Sequence, residues 1–248
     1  RAAAALDRPL VAVAHDIDEH GAILLHRTRR SELLMAAGMD HHVEGSLDDA
    51  DVDLDARADW ARATIVARLE PGESLRVVKY LAYGWSSLRS DSALRDQVSA
   101  ALTGARHAGW EGIVAEQRAY LDDFWDGADV IVEGAAEVQQ AVRFGLFHVL
   151  QAGARAERRC IAAKGLTGPG YDGHTFWDTE AFVLPLLTYT RPQAAADALR
   201  WRHSTIELAK ARAAQLRLAG AAFPWRTIRG QECSGYWPAG TASMHVNA

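Results

Sequence analysis

The sequence predicts an α+β chain that is mainly α: part of an antiparallel β-sandwich, linker helices, then paired helices of the kind that build a barrel. Three observations carry this. Residues 9–90 hold short β-rich runs between turn signals, and from about residue 92 apolar residues recur at three- and four-residue spacing. Two loops rich in Gly, Pro and Trp, 164–180 and 223–241, each join one helical pattern to the next. Such loops are what a barrel of paired helices needs around a pocket.

The elements follow in order. Residues 10–14 alternate and 22–26 follow a glycine turn. Runs 63–69 and 75–82 flank Glu70-Pro-Gly-Glu-Ser, which predicts a hairpin between them. The acidic segment 44–59, with six Asp and one Glu, reads as a solvated loop. So few strands make an incomplete sandwich. Helices are expected over 92–102 and 110–125, with Gly127 as a stop. The next, 138–151, puts Val142, Leu146 and Val149 on one face, and Phe144, Phe147 and His148 predict burial on most sides. An apolar helix follows over about 177–189, and Pro192 suits the first position of its successor. Residues 193–219 form one long helix or two stacked ones, ending at Gly220.

Composition excludes several classes. At 248 residues and 49% apolar content the chain has ample material for a core. Its 27 Lys+Arg against 32 Asp+Glu give a net charge of −5 with no basic block, so no nucleic-acid footprint is present. No stretch approaches the ~18 uncharged apolar residues of a membrane span. Two cysteines, Cys160 and Cys233, make no disulfide framework, and the expected setting is cytoplasmic with reduced thiols. The His41-His42 pair has no partner at metal-ligand spacing, so no metal is expected. The first residues lack Met and the features of a signal peptide, and the last stop without a cap; the expectation is a piece of a longer protein.

The segment 164–180, Lys-Gly-Leu-Thr-Gly-Pro-Gly-Tyr-Asp-Gly-His-Thr-Phe-Trp-Asp-Thr-Glu, suits a ligand pocket better than a packed core. Its Gly168-Pro-Gly-Tyr-Asp-Gly173 matches G-x-G-x-x-G, but no hydrophobic strand precedes it and no acidic residue closes a βαβ unit, so a dinucleotide cradle is rejected. Trp177 and Asp178 fit two readings: a ring and a carboxylate that hold a sugar, or a buried tryptophan and a helix N-cap. Trp225, Arg226 and Glu232 are equally open between a binding role and a packing corner. Glu180 reads as support for the helix start, and His174, His245 and Cys233 read, taken singly, as structural.

Four blocks in order, 139–151, 164–180, 220–232 and 244–248, make the sequence resemble glycoside hydrolase family 65, the inverting maltose, trehalose and kojibiose phosphorylases. The resemblance implies an N-terminal β-sandwich, a helical linker, an (α/α)6 catalytic barrel and a small C-terminal sheet domain. This chain would then hold the sandwich's end (1–90), the linker (91–130) and the N-terminal part of the barrel (131–248). It implies that Trp177 and Asp178 bind the non-reducing glucose, and that Trp225, Arg226, Thr227 and His245 shape the site for the second sugar. Tyr171, His174, Glu180 and Glu232 would support the site. Gly145, where many relatives have Asn, and Arg226, where some carry an acidic residue, depart from the pattern.

The implied reaction is phosphorolysis of an α-linked glucose disaccharide to β-glucose 1-phosphate and a free sugar. Inversion needs one acid to protonate the leaving oxygen and a nucleophile on the opposite face, and phosphate is already an anion. The resemblance places the acidic Glu beyond Ala248, so no catalytic residue is expected here and the chain alone should be inactive. Phosphate is a co-substrate, no cofactor is implied, and a homodimer is expected. The alternatives are an inverting hydrolase of the same family, or an inert sugar-binding piece.

Overall fold

Alternating apolar residues build a four-stranded antiparallel sheet in the first half of the chain, in the order β1 (Leu10–Ile17), β2 (Gly21–Thr28), β3 (Leu34–Gly45), β6 (Leu75–Ser86). The computed structural model describes residues 9–18, 21–45, 51–154, 159–168, 170–234, 243 and 246, and the chain divides into two compact units, Arg1–Ala119 and Tyr120–Ala248. In the first unit one sheet face (Ile23, Leu25, Leu34, Ala36, Val78, Tyr80) packs on Leu94, Val98 and Leu102 of helix α1 (Asp91–Ala128). Burying each large side chain contributes roughly 1.5–3 kcal/mol. The approach is close: a Cβ on Gly38 would lie 2.6 Å from Val98 Cγ1 and 2.8 Å from Leu102 Cδ1. Helix α1 continues into the second unit and is broken at Gly109 (φ 68°, ψ 173°).

Two expectations for this unit are overturned. Run 63–69 does not form a hairpin with 75–82: β5 (Trp60–Val66) pairs with β4 (Asp51–Arg57), while β6 pairs with β3 over its whole length. The acidic segment is therefore no loop over 51–57. Its aspartates alternate with Val52, Leu54 and Ala56, and Asp55 stands opposite Arg62, 3.9 Å from its guanidinium.

The second unit is helical: α2 (Ala136–Ala154), α3 (Leu184–Thr190), α4 (Pro192–Ser204) and α5 (Ile206–Gln215). Phe124 and Ala128 pack with Leu146 and Leu150; Ile161, Leu184, Leu187, Ala195 and Ala198 form a second cluster. Helix α2 is not buried on most sides, since Phe144 is 65% exposed and stacks edge-on against His148. The 177–189 segment is not one regular helix either. It opens with a π-helical turn, Thr179–Val183, and becomes α3 where Pro185, lacking an N–H, occupies the first turn. The 193–219 run resolves into the two helices α4 and α5, and Pro192 begins α4. No helix among the described residues is long and apolar enough to cross a membrane.

Candidate functional site

The two unusual loops are joined by a short antiparallel ribbon, β7 (Thr175–Phe176) against β8 (Arg226–Thr227), with Thr175 opposite Thr227 and Phe176 opposite Arg226. The pairing extends by one bond, Trp177 N–H donating to Trp225 O at 3.2 Å. At the core of the ribbon Thr175 and Thr227 are fully buried. Thr175 Oγ1 lies 3.2 Å from Thr179 Oγ1, which reaches Ile161 O at 3.4 Å, and Thr227 Oγ1 accepts from Gly230 N–H at 2.7 Å. Gly230 has φ 103°, and a Cβ there would stand 2.7 Å from Thr205 Cβ.

Beside the ribbon is a cavity of about 380 Å³ lined by Ala162, Ala163, Tyr171, Phe176, Asp178, Thr179, Val183 and Trp225. Phe176 is its central ring, edge-on to Tyr171 at 5.2 Å and to Trp225 at 5.8 Å. Asp178 stands at the N-cap position of the π-helical turn in αR conformation, yet its side chain makes no capping hydrogen bond. A carboxylate that does not cap its own helix is available to accept from a ligand. Tyr171 (φ 59°) and Asp172 (φ 52°) hold consecutive left-handed conformations next to Gly173, which turns the loop back toward β7.

Trp177 and Asp178, paired in the sequence reading, diverge. Trp177 is not among the residues lining the cavity; its indole lies against Phe223 (6.0 Å, 31°) and under the Arg202 guanidinium at 5.2 Å. The tryptophan at the cavity wall is Trp225. Glu180 supports the turn through Arg202, whose Nε donates to Glu180 Oε1 at 2.6 Å, with the two side chains only 6% and 12% exposed. Glu232 accepts from the backbone N–H groups of Trp225 (2.7 Å), Arg226 (3.4 Å) and Ser234 (2.8 Å).

Arg226 reaches across the ribbon to His174 Nδ1 (3.1 Å) and Asp172 Oδ2 (3.5 Å), over the Phe176 ring. His174 Nδ1 also lies 2.9 Å from Tyr171 O. The two partners ask opposite roles of Nδ1, a donor for the Tyr171 carbonyl and an acceptor for the Arg226 guanidinium, so either tautomer serves only one of them. Thr227, expected to help shape the second-sugar site, is buried, and its hydroxyl accepts from Gly230 N–H within the loop. His245 lies outside the described residues. Cys160 Sγ donates to Ile228 O at 3.7 Å, a further tie between the loops, and burial pushes its thiol pKa up. Arg202 and Phe176 were not singled out from the sequence. Among the described residues no group of three His, Cys, Asp or Glu is placed to hold a metal.

A carboxylate set among three aromatic rings can accept from sugar hydroxyls while a ring covers a pyranose face, the kind of site a carbohydrate-active protein presents. Comparison with known proteins gives the class its family. The N-terminal domain model of glycosyl hydrolase family 65 matches residues 1–124 and the family's central catalytic domain model matches 143–248. The chain belongs to glycosyl hydrolase family 65. It is 68% identical over all its 248 residues to an uncharacterized glycosyl hydrolase of Mycobacterium tuberculosis, of which it covers 31%. It is 36% identical over 225 residues, 91% of its length, to an alpha,alpha-trehalose phosphorylase of Thermoanaerobacter brockii, covering 29% of that protein. A solved structure from the human microbiome, assigned as a kojibiose phosphorylase, superposes with a TM-score of 0.81 at 26% identity, over 93% of this chain and 30% of that one. The chain thus spans about three-tenths of the relatives it matches, as a mixed α+β portion with an antiparallel sheet and helices.

Proposed function

We propose that the protein to which this chain belongs cleaves an α-linked glucose disaccharide of the trehalose, kojibiose or maltose type by inverting phosphorolysis, giving β-glucose 1-phosphate and a free sugar. The observation that carries the reading is Asp178: a carboxylate with no capping bond, at the wall of a cavity whose other walls are Tyr171, Phe176 and Trp225. Similarity to trehalose and kojibiose phosphorylases supports the reaction type. In this reading Asp178 accepts from glucose hydroxyls and Trp225 and Tyr171 offer ring faces. Trp177 acts from behind the wall, and Arg226 with His174 borders the second-sugar side. The helices α2 to α5 are the first part of an (α/α)6 barrel. The acid that protonates the leaving oxygen and the phosphate contacts lie in later segments, so the 248-residue chain alone is inactive.

The test is product analysis on the full-length protein with trehalose, kojibiose and maltose, each with and without inorganic phosphate. Phosphate-dependent formation of β-glucose 1-phosphate is expected from one of the three. Glucose release at the same rate without phosphate would make it a hydrolase, and no turnover of any α-glucoside would sink both.

A further inference from the structure

The Asp178 side chain makes no capping bond to its own turn, so its direction depends on how the turn is held by its neighbours. The residue before it and the second residue after it, Trp177 and Glu180, both end on Arg202 of α4. The guanidinium lies 5.2 Å from the Trp177 ring centre and 4.9 Å from that of Trp201, and its Nε is bonded to Glu180 at 2.6 Å. Arg202 is almost fully buried. Its two terminal nitrogens and Glu180 Oε2 make no hydrogen bond among the described residues, so the ion pair and the two indole faces are what hold the charge. A buried cation in the last turn of a helix, with part of its hydrogen-bonding capacity unused, is costly for a purely structural role. Phe223 also lies against the Trp177 ring, and the Trp177 backbone N–H is tied to Trp225 O.

We propose that Arg202 is a positioning residue for Asp178. It grips the π-helical turn on both sides of the carboxylate, through the Trp177 ring and the Glu180 side chain, and so fixes the carboxylate's approach to the sugar. The inference rests on the glucose-binding reading of Asp178. A planar guanidinium is needed because it must offer a face to an indole and an edge to a carboxylate at once. Lysine keeps the charge but cannot do both. Arg202 touches no substrate in this arrangement and acts only through the turn.

The experiment uses the full-length protein and three variants, R202K, E180Q and D178N. It reads D-glucose affinity by calorimetry at 25 °C, KM for disaccharide and for phosphate, and the thermal midpoint. R202K and E180Q should each weaken glucose binding and raise the disaccharide KM about tenfold while the phosphate KM stays at the wild-type value. D178N should lose glucose binding outright. If D178N loses glucose but R202K and E180Q bind it as the wild type does, Arg202 does not position Asp178, and the glucose reading stands. A parallel rise of both KM values in step with a lower thermal midpoint makes Arg202 structural only and also overturns the proposal. Wild-type glucose binding by D178N overturns the glucose reading and the positioning role together.

Discussion

The two loops joined by the β7–β8 ribbon are each organised by one glutamate, and the two glutamates work in opposite ways. Glu232 is a local brace: its carboxylate collects the N–H groups of Trp225, Arg226 and Ser234 from its own loop. Glu180 is a long-range brace, which pairs with Arg202, 22 residues further on in α4. A local brace shapes its loop whatever the rest of the chain does. A long-range brace makes the loop's shape conditional on a helix being docked. The cavity takes Trp225 from the locally braced loop and Asp178 from the conditional one, so its two sides should respond differently to damage.

The largest effect should come from breaking the long-range brace on one side only. R202M leaves the Glu180 carboxylate buried without its partner and should cost about 3–5 kcal/mol, read as a marked drop in the thermal midpoint. R202M/E180M, which removes both charges and restores apolar volume, should recover most of that loss. If the double variant is as unstable as R202M, packing against Trp177 and Trp201 rather than the ion pair carries the brace. Breaking the local brace should cost less. E232A leaves the Trp225 and Ser234 N–H groups to water or to nothing, which costs about 1–3 kcal/mol. Its effect should stay within the second loop, seen as faster amide exchange at 225–234 with protection at 175–183 unchanged. Equal loss of protection in both segments would mean that the loops are one cooperative piece.

The sequence showed the helices better than the strands. Periodic apolar residues and Pro192 placed α2, α4 and α5, because a helix announces its buried stripe at a fixed spacing. Strand β3 went unread: Leu34-Met-Ala-Ala-Gly-Met has small residues where β-branched ones are expected, and the reason is α1, which needs Gly38 bare to lie against the sheet. Strand β4 was hidden by its aspartates, whose alternation was the better signal than their charge. At the site, Asp178, Tyr171 and Trp225 were all named from the sequence, but not which ring stands beside the carboxylate. The composition of 164–180 drew attention to Trp177 and Asp178 together, and it takes the pairing of β7 with β8 to bring Trp225 of the other loop to the cavity wall beside Asp178. Arg202 had a readable mark: with Ala195, Ala198, Thr205 and Ala209 it falls at three- and four-residue spacing on the buried side of α4 and α5. An arginine on such a stripe, beside Trp201 and one turn after the alanines of 194–198, signals a buried partner.

The smallest effect reads the two braces at a thiol that belongs to neither. Cys160 touches Ile228 O across the two loops, and burial raises its thiol pKa above the ordinary 9.0, whereas Cys233 is exposed. The thiolate is the reactive form, so Cys160 should alkylate far more slowly than Cys233 at pH 7.5, and its rate should keep rising above pH 9. Because the shift comes first from burial, undocking the first loop should lower the pKa and expose the sulfur together, both speeding the reaction. Peptide-resolved labelling should therefore show Cys160 accelerated by R202K, which weakens the long-range brace, and little changed by E232Q, which keeps a carbonyl acceptor for the second loop. Acceleration by E232Q alone would reverse the assignment and make Glu232 the residue that keeps the loops together.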